Sequence, residues 1–312
     1  MGSSSTKIDA QGIARRTILK YLQTTRCAER FPPNTPPPIV ESKVTEVINS
    51  WNLPIPKEKS DKYRICGIHF GYAPYQHTSY DVQIAAALFT FCTTIYDDAA
   101  LDIEAMREFV PRWCEGKPQL DPFLDRFVET TMALREFFPP YAANTICSST
   151  MEYGTEEVYN VDEAPDAVFS PDSWQYIEYA RLKGGIAEPY AILIWPKDIC
   201  PNVSEWLQAL PDAQIYVNHV NDLLSFYKEA LVEEGEEMED NYISRYSKVH
   251  GKGIEETVDI MLNKILTTGE RIERLLGDGP AKEAWLDFVA GYTHFHIYSP
   301  RYKLQDVLPE YF

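Results

Sequence analysis

Apolar residues recur every three to four positions along most of this chain, which is the spacing of an amphipathic helix. No pattern of alternating strands and helices suggests a parallel sheet. The pattern predicts helices at 8–29, 78–97, 102–113, 121–137, 141–160, 171–193, 203–232, 252–276 and 280–298. We therefore expect an all-α fold, in which these helices pack into a bundle.

A proline-rich segment at 31–38 interrupts the helical pattern near the N-terminus. Consecutive prolines cannot continue a helix and favour an extended chain. With 312 residues, 45% of them hydrophobic, and only 15 glycines, the chain can bury the core of one large domain. We expect a single structural domain, in which residues 1–75 pack on or strap a helical core formed by 76–312.

The chain is strongly acidic, with 47 Asp and Glu residues against 29 Lys and Arg residues and a formal net charge of -18. Such a chain repels the phosphates of nucleic acids, and no basic stripe with interleaved aromatic residues is present, so we expect no nucleic-acid partner. Any other phosphate ligand would be repelled as well. It would therefore need divalent cations to reverse the local field.

Cysteine use and hydropathy indicate a reducing, aqueous compartment. The six cysteines are scattered, without a Cys-x-x-Cys pair, and are best interpreted as small buried hydrophobic residues. The first seven residues contain no apolar core of a secretory signal, and no run of about 18 apolar residues could span a membrane. We expect a cytoplasmic protein without a membrane partner.

A first acidic pattern closes the nearly uncharged helix predicted at 78–97. Asp97 and Asp98 end this helix, and Asp102 follows four residues after Asp98, which is about one helical turn. Such a pair can simply cap a helix or lie in a solvated turn. Because the helix before it looks buried, we predict instead that Asp97, Asp98 and Asp102 are metal ligands.

A second pattern places three oxygen ligands on one helix face. Asn221, Ser225 and Glu229 recur every four residues, so each rotates only about 40° from the last and rises about 6 Å. Oxygen donors suit magnesium or manganese, which normally share their shell with substrate phosphates. Lys228 lies close to the same face, within reach of such an anion. An ordinary exposed ion pair is the alternative for Glu229.

These motifs resemble those of the class I terpene cyclases, and among them the fungal trichodiene synthase-like sesquiterpene cyclases. The match runs over Asn221–Glu229 and extends to Trp195-Pro196-Lys197. Arg181 resembles the family's diphosphate-sensing arginine, and Arg301-Tyr302 resembles the pair that contacts the diphosphate when the site closes. The resemblance covers roughly 80–305. One departure is Leu101, because the family has an acidic residue at that position of the aspartate-rich motif, so the resemblance leaves open whether Asp98 or Asp102 assists Asp97.

The resemblance implies a helical bundle around a central active-site cavity and a Mg²⁺-dependent sesquiterpene cyclase. Such an enzyme ionises farnesyl diphosphate, cyclises the cation to a hydrocarbon more readily than to an alcohol, and releases diphosphate. The family site holds three magnesium ions, with manganese as a substitute, and similar enzymes are often homodimers. Arg181, Lys228, Arg301 and Tyr302 would then be catalytic. A chain-elongating prenyl diphosphate synthase and a non-catalytic prenyl-diphosphate-binding protein are the alternatives.

The substrate pocket is expected next to the two motifs. Phe89 and Thr93 precede Asp97 by two helical turns and one, and Val217 and Asn218 precede Asn221 by one turn. Gly184-Gly185 weakens the helix that carries Arg181, and in class I cyclases this helix is similarly broken, so we also place Gly185 in the pocket. His294 and His296 could act as a terminal base, although a structural role fits each of them better.

Overall fold

The computed structural model describes residues 9–98, 101–163, 169–232 and 241–312, and within these ranges it contains no β-strand. The expectation of an all-α fold is confirmed. Its α-helices are α1 (Ala10–Thr25), α2 (Pro38–Ser50), α3 (Lys57–Tyr72), α4 (Tyr80–Asp98), α5 (Ile103–Glu115), α6 (Pro122–Ala133), α7 (Pro140–Val158), α8 (Trp174–Gly184), α9 (Ala187–Ile192), α10 (Leu210–Val232), α11 (Tyr242–His250), α12 (Ile254–Leu276) and α13 (Pro280–Tyr298). None of the described helices is both long enough and apolar enough to cross a membrane.

Three of these helices, α2, α3 and α11, are absent from the sequence prediction. The first half of α3 is mostly charged, and two glycines replace apolar side chains in its second half, so its helical periodicity is weak. Helix α1 is shorter than predicted, because Arg26 adopts a left-handed conformation (φ 54°) and ends it. Helix α10 begins at Leu210 rather than at residue 203, since two short 3₁₀ turns precede it.

Glycines bring α3 against α4. A Cβ atom on Gly67 would lie 2.6 Å from the carbonyl oxygen of Ala87, and one on Gly71 would lie 2.5 Å from its backbone nitrogen. Real Cβ atoms do not approach so closely, so only glycine permits this backbone contact. The close packing places α3 in the interior of the bundle, from which Cys66 and Phe70 reach the central cavity.

Helix α10 is the central element and packs against α1, α8, α9, α12 and α13. A buried hydroxyl group ties the N-terminal helix to this core, since Tyr21 Oη lies 2.9 Å from both Tyr216 Oη on α10 and Thr293 Oγ1 on α13. At the surface, Arg16 pairs with Asp259 of α12 at 2.7 Å. Helix α1 is thus packed on the bundle along its length.

The helix predicted at 171–193 is two helices in the structure, as the glycine pair suggests. Helix α8 ends at Gly184, and Ile186 has a positive φ of 44° before α9 begins. A β-branched residue rarely adopts this left-handed conformation, so the backbone is strained at Ile186. Gly184, Gly185 and Ile186 all line the cavity. The break therefore directs irregular backbone towards the cavity.

Candidate active site

Helices α3, α4, α7, α8, α10 and α13 meet around a cavity of about 320 Å³. The cavity brings together residues from both acidic patterns, the glycine pair and the C-terminal Arg-Tyr pair, whereas Trp195-Pro196-Lys197 lies outside it. Its lining includes the predicted residues Thr93, Asp97, Arg181, Gly185, Val217, Asn218, Asn221, Ser225, Lys228, Glu229, Arg301 and Tyr302. The two acidic patterns, far apart in sequence, thus share one cavity.

The α10 wall carries Asn221, Ser225 and Glu229, and all three line the cavity. They lie within one uninterrupted helix, so the four-residue spacing places them on one face, as predicted. Ser225 is 3% exposed, and its Oγ makes no hydrogen bond of good geometry within the described residues, although it is near enough to Glu229 to offset part of the rise that burial causes in the pKa of that carboxyl. An unsatisfied buried hydroxyl is costly, and here it lies between two further oxygen donors.

The opposite wall, at the end of α4, contains Asp97 in the cavity lining. Asp98 does not line this cavity; its carboxylate accepts a hydrogen bond from Arg301 Nη1 at 2.9 Å. Asp102 lies outside as well, because its Oδ1 accepts from the Glu104 backbone N–H at 2.8 Å and caps α5. The expected helical spacing between Asp98 and Asp102 is wrong, because Asp102 has an extended backbone (φ -61°, ψ 127°) and precedes α5.

Arg181 is held by α10 through a carboxylate that the sequence analysis did not assign to the site. Its Nη2 donates to Asp222 Oδ1 at 2.7 Å and its Nε to the same oxygen at 3.0 Å. In the other direction, Asn218 Nδ2 donates to the Arg181 carbonyl oxygen at 3.0 Å. The sequence signal for Asp222 is its place directly after Asn221 in the second motif. In the structure its carboxylate faces Arg181 on α8.

The C-terminal segment closes the cavity from a third side. Arg301 and Tyr302 form a short 3₁₀ turn after α13, and both line the cavity. Arg301 and Asp98 are each about one-third exposed, so this ion pair lies at the rim rather than in the interior. Lys228 lines the same cavity from α10. Together with Arg181, Arg301 and Lys228 make three cationic side chains that lie beside the two walls of oxygen donors.

Aromatic rings form much of the remaining lining, and most of them were not predicted as site residues. Phe70, Tyr153, Tyr190, Tyr292 and Phe295 all line the cavity. Phe70 is their centre, with ring centroids 4.6 Å from Tyr190 and 5.0 Å from Phe295. Their helices bring them together from distant parts of the sequence, so local spacing carried no signal for them.

The expectation that Phe89 lines the pocket needs correction. Its side chain is fully buried, and its ring packs against Phe127 at 6.0 Å and Tyr190 at 5.8 Å between centroids. Phe89 therefore lies behind Tyr190 and supports the cavity wall from the core side. Thr93, one turn further along α4, does reach the cavity, and its Oγ1 lies 2.8 Å from Tyr190 Oη.

The carboxyl groups of the site differ in their acidity. Burial raises the pKa of Glu229 above its usual value. Desolvation by the surrounding protein, and secondly the charge of Asp98, raises the pKa of Asp97 above its usual value. The residue nevertheless remains accessible to solvent. Burial would raise the pKa of Asp222 too, but Arg181 and His219 outweigh it and the pKa lies below its usual value. Asp222 is thus held in its charged form by its partners, whereas a bound cation would stabilise the charged forms of Asp97 and Glu229.

These residues match an established family. The model of the trichodiene synthase (TRI5) family covers residues 64–311 of this chain. This chain belongs to the trichodiene synthase family. It is accordingly a terpene synthase, an enzyme of the carbon–oxygen lyase class. The family match spans the whole cavity, from Cys66 on α3 to Tyr302 after α13.

Individual relatives agree with this family assignment. Monoterpene synthase 25 of Postia placenta is 31% identical over 274 residues, which are 87% of this chain and 80% of that protein. The (E)-beta farnesene synthase of Metarhizium brunneum is 30% identical over 238 residues, which are 75% and 71% of the two chains. The crystal structure of linalool/nerolidol synthase from Streptomyces clavuligerus in complex with 2-fluorogeranyl diphosphate has a TM-score of 0.61 at 15% identity. It covers 84% of this chain and 99% of that chain. The last likeness establishes the class I terpene synthase fold.

Proposed function

We propose that this terpene synthase is a magnesium-dependent sesquiterpene cyclase that ionises farnesyl diphosphate and cyclises the resulting cation. The observation that carries the proposal is the composition of one cavity. Oxygen donors from α4 and α10 and three cationic side chains line the same space as a group of aromatic rings. A diphosphate needs the first two sets of groups, and a prenyl cation needs the third.

The donor set fits a hard divalent cation. Ser225 Oγ is buried and unpartnered between Asn221 and Glu229, and a cation bound there would satisfy it. No group of three or more His, Cys, Asp and Glu side chains that could hold a metal occurs in the described part of the chain. Binding of the metal would therefore need, besides single carboxylates, the amide and hydroxyl oxygens of α10 and the phosphate oxygens of the substrate. When bound, magnesium supplies positive charge that stabilises the departing diphosphate.

The protein's own cations share this work. In the proposed reaction the carbon–oxygen bond of the prenyl diphosphate breaks, and its electron pair leaves with the diphosphate. The cavity in which the diphosphate would bind is lined by Arg181, Lys228 and Arg301. Preorganised positive charge of this kind lowers the barrier to bond breaking. Asp222 holds Arg181 in place by accepting two hydrogen bonds from its guanidinium, so little reorganisation is needed when the anion forms.

The aromatic part of the lining would hold the hydrocarbon. The faces of Phe70, Tyr190 and Phe295 attract a cation without offering a strongly nucleophilic lone pair, and their packing excludes water. Exclusion of water favours loss of a proton from the cation over capture of a water molecule, so we propose a hydrocarbon product. The released diphosphate is the base that we propose for this proton, because the His296 ring nitrogens both have protein partners.

Substrate length is the finer part of the proposal. The related proteins named above include a monoterpene synthase and a farnesene synthase, so ten-carbon and fifteen-carbon substrates both need testing. Purified protein should be incubated with magnesium and geranyl, farnesyl or geranylgeranyl diphosphate in turn. We expect a cyclic sesquiterpene hydrocarbon by gas chromatography and mass spectrometry, stoichiometric diphosphate release, and turnover highest with the farnesyl substrate.

The controls separate the alternatives. Removal of magnesium with a chelator should stop turnover, and its return should restore it. In a parallel incubation with added isopentenyl diphosphate, a longer prenyl diphosphate as product would identify a chain-elongating synthase instead. Unchanged farnesyl diphosphate, with active turnover of the geranyl substrate, would overturn the sesquiterpene assignment but leave the ionisation site in place.

A further inference from the structure

His296 is a buried side chain that touches one of the proposed metal ligands. It lies on α13, has no solvent exposure, and is surrounded by the rings of Tyr292 and Tyr302, with centroids at 4.6 and 4.5 Å. Its Nδ1 lies 2.8 Å from the Tyr292 carbonyl oxygen, and its Nε2 lies 3.2 Å from Nδ2 of Asn221. Each ring nitrogen therefore has one protein partner.

The Tyr292 contact decides which nitrogen carries the proton. A carbonyl oxygen can only accept, so His296 Nδ1 must be the N–H donor. A guanidinium can only donate, and Arg181 Nη2 lies 3.5 Å from Asn221 Oδ1, so the amide oxygen faces Arg181. The Asn221 NH₂ group then faces His296, whose Nε2 accepts its hydrogen bond at 3.2 Å as the unprotonated ring nitrogen.

The other half of the Asn221 amide then faces the cavity. Asn221 Oδ1 lies 3.5 Å from Nη2 of Arg181, on the side away from His296. Among the three proposed ligands of α10, only asparagine has an orientation in which it cannot bind a metal. A half-turn of its amide replaces the oxygen with an NH₂ group of nearly the same shape. The two oxygens of Glu229 are equivalent, and the hydroxyl of Ser225 rotates freely.

We propose that His296 is a positioning residue that fixes the Asn221 amide with Oδ1 towards the metal. This inference rests on the proposed function, because it assumes that Asn221 is a ligand. Partners that orient a metal ligand in this way typically change metal affinity by about 10- to 100-fold when they are removed. Tyr302 packs on the His296 ring, so the C-terminal segment also helps to hold the amide in its working orientation.

The test is binding of Mn²⁺ in the presence of inorganic diphosphate, followed by electron paramagnetic resonance or calorimetry. His296→Phe removes the acceptor and should weaken Mn²⁺ binding about 10- to 100-fold. His296→Gln keeps an acceptor oxygen and should recover part of that loss. His294→Phe is the matched control: it removes a second buried histidine of α13, whose Nε2 contacts Asn34 at 2.7 Å, and it should leave Mn²⁺ affinity unchanged.

The double variant shows whether His296 acts through Asn221. In an Asn221→Ala background, His296→Phe should cause no further loss of affinity. A loss with Asn221→Ala but none with His296→Phe would overturn the positioning role and leave the proposed function standing. Unchanged Mn²⁺ affinity in Asn221→Ala would instead remove α10 from the metal site and overturn the proposed function.

A measurement on the unaltered protein covers the case in which His296→Phe does not fold. Nitrogen-15 spectra of histidine-labelled protein at pH 7 should show a neutral His296 with the proton on Nδ1 and an unprotonated Nε2. A proton on Nε2, in either the neutral or the cationic ring, would require Asn221 Oδ1 to face the histidine. That result would overturn the inference.

Discussion

The α4 and α10 walls carry the two acidic patterns, but they differ in how much of each pattern reaches the cavity. Helix α10 continues through Asn221, Ser225 and Glu229, and all three line the cavity. On the α4 side only Asp97, of the three predicted ligands, lines the cavity, because Asp102 has an extended backbone and caps α5 instead of continuing the helix. A periodic spacing therefore predicts a shared face only while the helix that carries it continues.

The two walls also differ in their support. On α10, Arg181 is bound to a carboxylate that is 11% exposed in its side chain, and the Asn221 amide is bound to a buried histidine. On the α4 side, Arg301 and Asp98 form a pair that is about one-third exposed. Exposed pairs are weak and exchange easily, whereas buried ones are rigid. The α10 wall is thus prearranged, and the α4 side is the one where contacts can change when a ligand binds.

The largest expected effect is loss of a ligand on α10. Asn221→Ala and Glu229→Ala should each lower kcat by about 10³-fold or more, because the charge stabilisation of the leaving diphosphate depends on the metal that we propose they hold. Far-ultraviolet circular dichroism should remain helical. Asp102→Ala is the control from the α4 side: it should lower stability by about 1 kcal/mol through loss of the α5 cap and leave kcat within about threefold. Near-normal turnover in both α10 variants would contradict the assignment.

The next effect compares the two arginines. Arg181→Ala should slow ionisation by about 10²-fold, the size expected for loss of one preorganised cationic group. Arg301→Ala should have a smaller effect, since this side chain lies at the rim and its charge is partly neutralised by Asp98. Single-turnover rates with excess enzyme measure the chemical step for both variants. Equal rates for Arg181→Ala and the unaltered enzyme would refute the proposed role.

The glycine pair offers a comparison within two adjacent residues. A Cβ on Gly185 would lie 2.1 Å from Asn218 Oδ1 and 2.7 Å from Arg181 Nη1, so Gly185→Ala must displace one of them. On Gly184 the nearest atom outside the helix would be 3.5 Å away, an ordinary contact. We expect Gly185→Ala to lower kcat/KM by about tenfold, as a displaced cation would, and Gly184→Ala to lower it little. Equal kcat/KM values for the two variants would show that the close approach has no role.

The smallest effect is the pH dependence of stability that Glu157, on α7, contributes next to the α4 side. Burial, with a contribution from Asp97, raises the pKa of Glu157 from 4.5 to about 7. The folded protein therefore binds this proton more tightly than the unfolded chain, and its contribution to stability is lost as the pH rises from 4.5 to about 7. In Glu157→Gln without metal, the melting temperature should fall less over this range. Parallel melting curves for the two proteins would count against the raised pKa.

The sequence alone determined the helical class of the fold and the α10 ligand face, because both follow from local periodicity within continuous helices. It also indicated the break after Gly184, since two glycines weaken any helix. Tertiary structure decided the rest. Asp102 caps α5 instead of lining the cavity, Asp222 finds Arg181 across a helix interface, and Phe70 reaches the cavity only because glycines let α3 approach α4. Each of these depends on which surfaces meet, and local spacing does not encode contacts between distant segments.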